Sequence, residues 1–341
     1  MAFKQLLLIS ILSTVYTVSY AGVAGIFPCP NSTHRAFKPV CCKWYDVLDD
    51  LQTNLFHNEC GQEVREAVRL TFHDAVGFSP TNGGGGADGS IITFSDTELA
   101  YAANADGGVE DIVNNLKPLV DKWKVSPGDL IYFAGAAGIT NCPGAPHIPF
   151  FAGRKNPTGP APDGTVNVPS DSPDVILKRF KEVGFSPREV VALLASHSIA
   201  AADGVPGPIH GHPFDSTARV FDSQFFVETQ LNQTLSGLVR LPSDLALARD
   251  SRTACDWQRF VTDQNAMRLE FSLAMAKLSL IRQSPLLIDC SEAIPFDIQP
   301  NNVKPFFPGT LTVVDQACTK SPFPSLTVNP AVTTATPVND F

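Results

Sequence analysis

The chain has 341 residues, with 25 lysines and arginines against 34 aspartates and glutamates, and a formal net charge of −9. An acidic surface repels nucleic-acid phosphates and anionic membranes, so neither is an expected partner. The length exceeds the roughly 250 to 300 residues at which one hydrophobic core stops growing, which predicts two lobes or two closely joined domains.

The first 21 residues have the layout of a cleaved secretion signal. They read M-A-F-K, then an apolar run from Leu6 to Val18, then S-Y-A, which predicts cleavage after Ala21. The run is too short to span a bilayer, and no later apolar segment reaches the required length of about 20 residues. The pattern therefore predicts a soluble protein that is secreted and extracellular.

The cysteine count fits such a compartment. Eight cysteines, an even number, predict four disulfides in an oxidising environment, although sequence alone leaves their pairing open. Asn31 and Asn232 begin N-x-T sequons and are predicted to be glycosylated positions on surface loops.

Most of the chain is predicted to be α-helix, because apolar residues recur at spacings of three and four. The helical segments predicted in this way are 43–56, 62–76, 109–123, 127–140, 173–183, 187–202, 223–232 and 256–282. Two helix starts are marked by Ser126 and Ser186, each followed by a proline and, three residues on, by an acid.

The predicted domain organisation follows from the segments between these helices. Residues 141–170 are rich in proline, glycine and asparagine, and are predicted to form an irregular connection. One lobe is expected at 22–150, with C-terminal segments packed on it, and a second at 151–320. Residues 321–341 are rich in proline and threonine, and are predicted to form an extended surface tail.

A polar stripe on the second predicted helix indicates a reaction site. At 3.6 residues per turn, Gln62, Glu66, Arg69 and His73 share one face of an otherwise apolar segment. An imidazole such as His73 can take a proton from one oxygen of a bound peroxide and return it to the other. Arg69 can stabilise negative charge as the O–O bond breaks, and Phe72 can exclude water. The alternative is that Arg69 and His73 only form structural hydrogen bonds.

A second isolated histidine, His197, lies on another apolar helix. A single histidine in that position is more often a hydrogen-bonded core residue than a ligand. A planar iron macrocycle held between two helices, with one histidine as ligand and another across the ring, would explain both His197 and His73.

Two other classes of function are also compatible with parts of the sequence. The doublet His73-Asp74 occurs in metal-dependent hydrolases, which need several further histidine or aspartate ligands. The chain could instead be a non-catalytic secreted protein stabilised by calcium. The remaining histidines show no convincing ligand spacing: His34, His57, His147, His210 and His212.

Six motifs make the chain resemble the secreted fungal class II haem peroxidases, which include manganese, versatile, lignin and generic peroxidases. The motifs are R-L-T-F-H-D-A-V-G-F-S-P, G-G-G-G-A-D-G-S, N-C-P-G, L-L-A-S-H-S, P-F-D-S-T-x-x-V-F-D-S-Q-F-F and L-A-R-D-S-R-T-A-C. The resemblance runs from about Cys29 to Pro324. It implies a mainly α fold in which two helical lobes enclose haem b, stapled by disulfides and stabilised by calcium. It also implies a monomer that uses hydrogen peroxide.

The resemblance assigns roles to residues on both sides of the haem. His73 matches the distal acid-base, and Arg69 the distal charge stabiliser. Glu98 and Asn104 match the pair that orients the distal imidazole by accepting its far N–H. On the proximal side, His197 matches the iron ligand and Asp244 the acid that hydrogen-bonds it.

Two calcium sites are implied as well, each with a ligand next to one of these histidines. Their side chains offer the hard oxygen ligands that calcium prefers. The distal set is Asp74, Gly86, Asp88 and Ser90. The proximal set is Ser198, Asp215, Thr217, Val220 (through its carbonyl) and Asp222. The implied disulfides are Cys29–Cys42, Cys41–Cys290, Cys60–Cys142 and Cys255–Cys318.

The resemblance also bears on the reducing substrate. The surface tryptophan that oxidises bulky aromatics in this family is replaced by Ala192. The three acids that bind Mn(II) correspond to Gln62, Glu66 and Asp203. Since the Gln62 amide carries no charge, we expect weakened binding and turnover of Mn(II). Oxidation of small phenols and dyes at the haem edge, without Mn(II), is the alternative.

Overall fold

A computed structural model describes residues 25–30, 32–105, 107–202, 211–296, 314, 315 and 318, and these segments are mainly α-helical. Their α-helices are α1 (Cys42–Asn54), α2 (Gln62–Ala75), α3 (Ser90–Thr93), α4 (Ser95–Glu98), α5 (Gly107–Trp123), α6 (Pro127–Gly138), α7 (Pro173–Glu182), α8 (Pro187–Leu193), α9 (Gln224–Glu228), α10 (Pro242–Arg249), α11 (Ala254–Thr262) and α12 (Gln264–Leu278). The prediction of a mainly helical fold is confirmed.

In the part of the chain that the structure describes, short strands form two small antiparallel pairs. The strand β1 (Phe27–Pro28) pairs with β2 (Arg35–Ala36), with Phe27 opposite Ala36. The strand β3 (Phe151–Ala152) pairs with β4 (Ile288–Asp289), with Phe151 opposite Asp289. The second pair fastens the connection 141–170, which is otherwise irregular as predicted, to the segment after α12.

The serine-proline pairs begin helices as the sequence predicts. The Ser126 hydroxyl accepts a hydrogen bond from the Asp129 amide at 3.1 Å and caps α6. Ser186 and Glu189 form a reciprocal capping box at the start of α8. Each cap satisfies a backbone donor that the first helical turn leaves without a partner.

The helix predicted over 187–202 ends earlier. The helix α8 stops at Leu193, and the chain continues as a 3-10 helix, Leu194–Ile199, which carries His197. Two serine hydroxyls in this segment donate to carbonyls three residues back, Ser196 to Leu193 at 2.9 Å and Ser198 to Ala195 at 2.8 Å. Such bonds compete with α-helical hydrogen bonds and accompany the tighter turn.

The helix predicted over 256–282 is two helices. Asp263, with φ −118° and ψ 74°, separates α11 from α12, and its side chain accepts from the Ala266 amide at 2.9 Å to cap α12. The helices α3, α4 and α10 were not predicted. The first two have four residues each and are too short for a helical period to be visible.

The buried apolar residues of the described segments form one continuous cluster, with a small satellite under the N-terminal strands. In this cluster, α2 packs on α5 and α6, whereas α8 packs on α11 and α12. Contacts between these two groups are few, and a cavity lies between them. The exact lobe boundary at residue 150 stays a prediction.

Four disulfides are present, Cys29–Cys42, Cys41–Cys290, Cys60–Cys142 and Cys255–Cys318, in the pairing that the resemblance implies. Cys41–Cys290 spans 249 residues and ties the start of α1 to the segment after α12. No helix in the described part of the chain is long and apolar enough to cross a bilayer. Asn232 is exposed, whereas Asn31, residues 1–21 and the tail 321–341 lie outside the described residues.

Candidate active site

A cavity of about 600 Å³ lies between the helix α2 and the 3-10 helix Leu194–Ile199, and both His73 and His197 line it. Apolar side chains from α7, α8 and α12, including Phe180, Val190 and Leu278, form much of its wall. Its volume falls in the range of about 300 to 1,000 Å³ that is typical of ligand and cofactor sites. The two isolated histidines of the sequence therefore share one cavity.

The helix α2 places the distal side chains as the helical stripe predicts. Glu66, Arg69, Phe72 and His73 all line the cavity. The Arg69 Nε atom donates to His73 Nε2 at 3.1 Å. The Phe72 ring stacks on Phe180 of α7, with ring centroids 5.8 Å apart and planes 9° apart, which fixes this part of the wall.

Asn104 fixes the protonation of the His73 ring. His73 Nδ1 lies 2.8 Å from Asn104 Oδ1, and Asn104 Nδ2 donates to the Glu98 backbone carbonyl at 2.9 Å. Because this assignment leaves an amide oxygen facing Nδ1, Nδ1 carries the hydrogen. His73 Nε2 then carries the lone pair of the ring, which accepts from Arg69 Nε in this structure, and it is the basic atom on the cavity side.

Glu98 has a different geometry from the one that the resemblance implies. Its carboxylate does not accept from the imidazole but from the Ala161 amide, at 2.9 Å, and it is buried. Its backbone carbonyl holds the Asn104 amide instead. A single imidazole N–H needs one acceptor, and Asn104 supplies it, so Glu98 acts on His73 only through Asn104. Burial raises the pKa of Glu98.

The proximal side holds the second imidazole in a fixed orientation. His197 Nδ1 lies 2.9 Å from Oδ2 of Asp244, which belongs to α10 and is 1% exposed. The edges of Phe214 and Phe225 pack against the His197 ring at centroid distances of 5.3 and 5.4 Å. With its Nδ1 hydrogen directed to a carboxylate, the ring presents Nε2 as a metal ligand. The donor set and the cavity volume both fit haem.

The residues of the expected distal calcium site lie next to His73. The buried Asp74 carboxylate accepts from the Gly89 amide at 2.9 Å and from the Tyr132 hydroxyl at 2.8 Å. Burial, and then the neighbouring acid Asp88, raise the pKa of Asp74 well above its usual value, and burial raises that of Asp88 to about 6. Gly86 has φ +72°, a conformation that favours glycine. A buried acid beside a partly buried one fits a divalent cation.

The residues of the expected proximal calcium site form a similar cradle. Asp215 and Asp222 are fully buried, and Thr217 Oγ1 donates to Asp222 at 3.0 Å. One oxygen of each carboxylate, Oδ2, has no hydrogen-bond partner among the described residues. Burial raises the pKa of Asp222 to about 6, and burial, together with the negative charge of Asp222, raises that of Asp215 well above its usual value. Buried orphan carboxylate oxygens are what a calcium ion would coordinate.

Ser198 and Val220 complete this region. Ser198, next to His197, is fully buried, and the Val220 amide donates to the Thr217 carbonyl at 2.7 Å. Sequence reasoning missed Glu228, which accepts from the Ser216 hydroxyl at 2.6 Å and from the Ser216 amide at 2.8 Å. The only sign of Glu228 in the sequence was an acid at the end of the apolar run F-F-V-E. Glu228 holds the loop that carries Asp215.

Of the three expected manganese positions, Glu66 lines the cavity. Gln62 Nε2 donates to Glu66 Oε1 at 3.0 Å, and Glu66 is 5% exposed. Asp203 lies outside the described residues. Within the residues described, no group of three or more His, Cys, Asp or Glu side chains is arranged to hold a metal. Ala192 is buried, so its position provides no surface aromatic.

Comparison with known proteins gives a consistent result. A family model described as "Peroxidase" matches residues 45–263, and one described as "Fungal peroxidase extension region" matches 266–339. Manganese peroxidase 3 of Phlebia radiata is 47% identical, over 98% of both chains. Ligninase H2 of Phanerodontia chrysosporium is 45% identical, over 97% of this chain and 96% of its own. Versatile peroxidase VPS1 of Pleurotus eryngii is 47% identical, over 87% of each.

Proposed function

We infer the reaction from one premise: the chain belongs to the class II fungal peroxidases, and it is an enzyme that oxidises reductants with hydrogen peroxide. One observation carries the proposal for its site, namely that His73 and His197 line the same cavity. We propose that this cavity holds haem b, with His197 Nε2 as iron ligand. Haem, when bound, supplies the metal that accepts two oxidising equivalents from peroxide and passes them on one electron at a time.

On the distal side, the proposed role of His73 is to move a proton within the bound peroxide. Its Nε2 takes the proton from one oxygen and returns it to the other, which leaves as water. The Arg69 guanidinium, which is always charged, stabilises negative charge on the departing oxygen. Asn104 keeps the Nδ1 hydrogen in place, so that Nε2 is the basic atom at every turnover.

On the proximal side, the proposed role of Asp244 is to make His197 a stronger donor. A carboxylate that accepts the Nδ1 hydrogen gives the ring imidazolate character, which stabilises iron in its oxidised state. The Phe214 and Phe225 edges keep the ring from rotating.

We propose Mn(II) as a reductant, oxidised at a weakened site formed by Gln62, Glu66 and Asp203. Glu66 lies at the cavity wall, where an ion would be close to haem. The Gln62 amide donates a hydrogen bond to Glu66, but it adds no negative charge to the site. Small phenols are the second candidate, because Ala102, Ala103 and other apolar residues line the cavity. Either reductant would serve oxidation of lignin-related aromatic material.

The rate of Mn(III) formation in a chelating buffer tests the manganese proposal. We expect Gln62→Glu to raise kcat/KM for Mn(II) about tenfold, because an added negative charge near a dication is worth at least ~1.4 kcal/mol. Asp203→Ala should lower it by a similar factor. Oxidation of a small phenol serves as the control and should not change. If the wild type forms no Mn(III) and Gln62→Glu adds none, phenols are the reductant.

Removal of calcium should destabilise the protein. At calcium concentrations well above the dissociation constants, each of the two sites adds about 3 to 4 kcal/mol to the free energy of unfolding. A chelator should therefore lower Tm by roughly 10 °C or more. Calorimetry with calcium and with chelator measures this shift, and metal analysis should give two calcium ions per chain. An unchanged Tm and a metal-free protein would refute both calcium sites.

We propose that the enzyme is secreted and acts outside the cell as a monomer, glycosylated at Asn31 and Asn232. The signal-like residues 1–21 and the four disulfides support this location, since disulfides persist in oxidising compartments.

A further inference from the structure

Tyr132 connects the helix α6 to the acid that follows the distal histidine. Its side chain is buried, and its hydroxyl donates to Asp74 Oδ2 at 2.8 Å. The Asp74 carboxylate also accepts from the Gly89 amide. These donors constrain the orientation of the carboxylate. None of the motifs in the sequence points to Tyr132.

The Tyr132 ring is itself held by Arg154. The Arg154 guanidinium lies over the ring, 4.5 Å from its centroid. It donates to the Asp129 carboxylate at 2.9 Å and to the Ser279 carbonyl at 2.7 Å. A cation over an aromatic face is attractive, and here both are buried, so the hydroxyl has little freedom to move. The position of the Tyr132 oxygen is therefore fixed before any ion binds.

The distal loop also packs directly on the first turn of α6. Gly89, with φ +82°, and Gly128 approach so closely that a side chain at either position would collide with the other segment's backbone. The Asp129 carboxylate accepts from the amides of Gly153 and Arg154, which ties the same turn to the connection after β3. The first turn of α6 thus forms one rigid support with the loop that carries Asp88.

We propose that Tyr132 is a positioning residue of the distal calcium site, whose hydroxyl holds the Asp74 carboxylate in the orientation that binds the ion. This inference rests on the proposed distal calcium site. Because Asp74 directly follows His73 on α2, the same bond also steadies the end of the helix that carries the distal base.

The test compares Tyr132→Phe with wild-type holoenzyme loaded with calcium. The variant keeps the ring under Arg154 and removes only the hydroxyl. A hydrogen bond to a charged acceptor is stronger than one to a neutral acceptor. The difference corresponds to about a factor of ten in affinity. We expect Tyr132→Phe to release one of two calcium ions to a fluorescent chelator about tenfold faster, and the other at the wild-type rate.

Tyr45→Phe is the matched control, because the Tyr45 hydroxyl donates to the Glu292 carbonyl at 2.9 Å and contacts no calcium residue. Tm is measured with calcium and with chelator. Loss of a purely structural hydroxyl would lower both Tm values equally. We expect Tyr132→Phe to lower mainly the Tm measured with calcium.

The outcomes separate this inference from the calcium sites themselves. If wild type releases two ions and Tyr132→Phe matches it, or if both tyrosine variants accelerate release equally, Tyr132 has no positioning role. If wild type releases no calcium, the proposed calcium sites fail first and this inference fails with them.

Discussion

Replacing His73 with leucine should slow the reaction with hydrogen peroxide by about a thousandfold or more. A positioned general acid and base contributes about 10² to 10⁴ in rate, and leucine can neither take nor return the proton. Leucine fills similar space, so the buried site and the haem cavity should persist. The measurement is stopped-flow absorbance of the haem band after mixing with peroxide, under conditions in which peroxide is in excess.

Asn104→Val is the companion variant, since it keeps the imidazole and removes the acceptor for its Nδ1 hydrogen, together with the bond from Asn104 to the Glu98 carbonyl. We expect a smaller loss, of about tenfold to a hundredfold, because the ring can still take a proton but is no longer held in one tautomer and orientation.

Equal peroxide rates in wild type and His73→Leu would show that the proton is moved by another group.

The sequence predicted which residues lie on the distal side of the cavity better than it predicted the contacts that hold them in place. A helix fixes which side chains share a face, so Glu66, Arg69 and His73 could be placed on the cavity from their spacing alone. The bond from His73 to Asn104 joins residues 31 positions apart, and only the family resemblance indicated it. Which atom of Glu98 faces Asn104 depends on the turn after α4, and spacing carries no information about it.

The segment around His197 shows a different limit. Its apolar spacing predicts a continuous helix over 187–202, yet Ser196 and Ser198 bond back to carbonyls and the chain tightens after Leu193. Local competition of this kind depends on hydroxyl geometry rather than on hydrophobic period.

Long-range polar contacts were the least predictable part of the site. Tyr132 meets Asp74 across 58 positions because α6 packs on α2, and Glu228 supports Ser216 because α9 folds back on the loop before it. A tyrosine or a glutamate within an apolar helix gives no hint of its partner. Such contacts become visible only when the packing of the helices is known.

His197→Ala should bind haem at least about a hundredfold more weakly than wild type. Even partners that only orient a metal ligand cost tenfold to a hundredfold in affinity when they are lost, and His197 is the proposed ligand itself. Asp244 would then face the cavity without its imidazole partner, which adds a further cost. Added imidazole should restore much of the haem spectrum, because it can occupy the space of the missing ring.

His147→Ala is the matched control, because His147 is partly buried, stacks on Phe296 and does not line the cavity. Its removal should leave haem affinity unchanged, even if it lowers Tm slightly.

Resonance Raman spectroscopy of the protein titrated with haem b tests the placement of haem between His73 and His197 most directly. We expect one haem per wild-type chain and an iron–histidine band that disappears in His197→Ala and persists in His147→Ala. A His197→Ala protein that binds one haem with the wild-type iron–histidine band would contradict this placement.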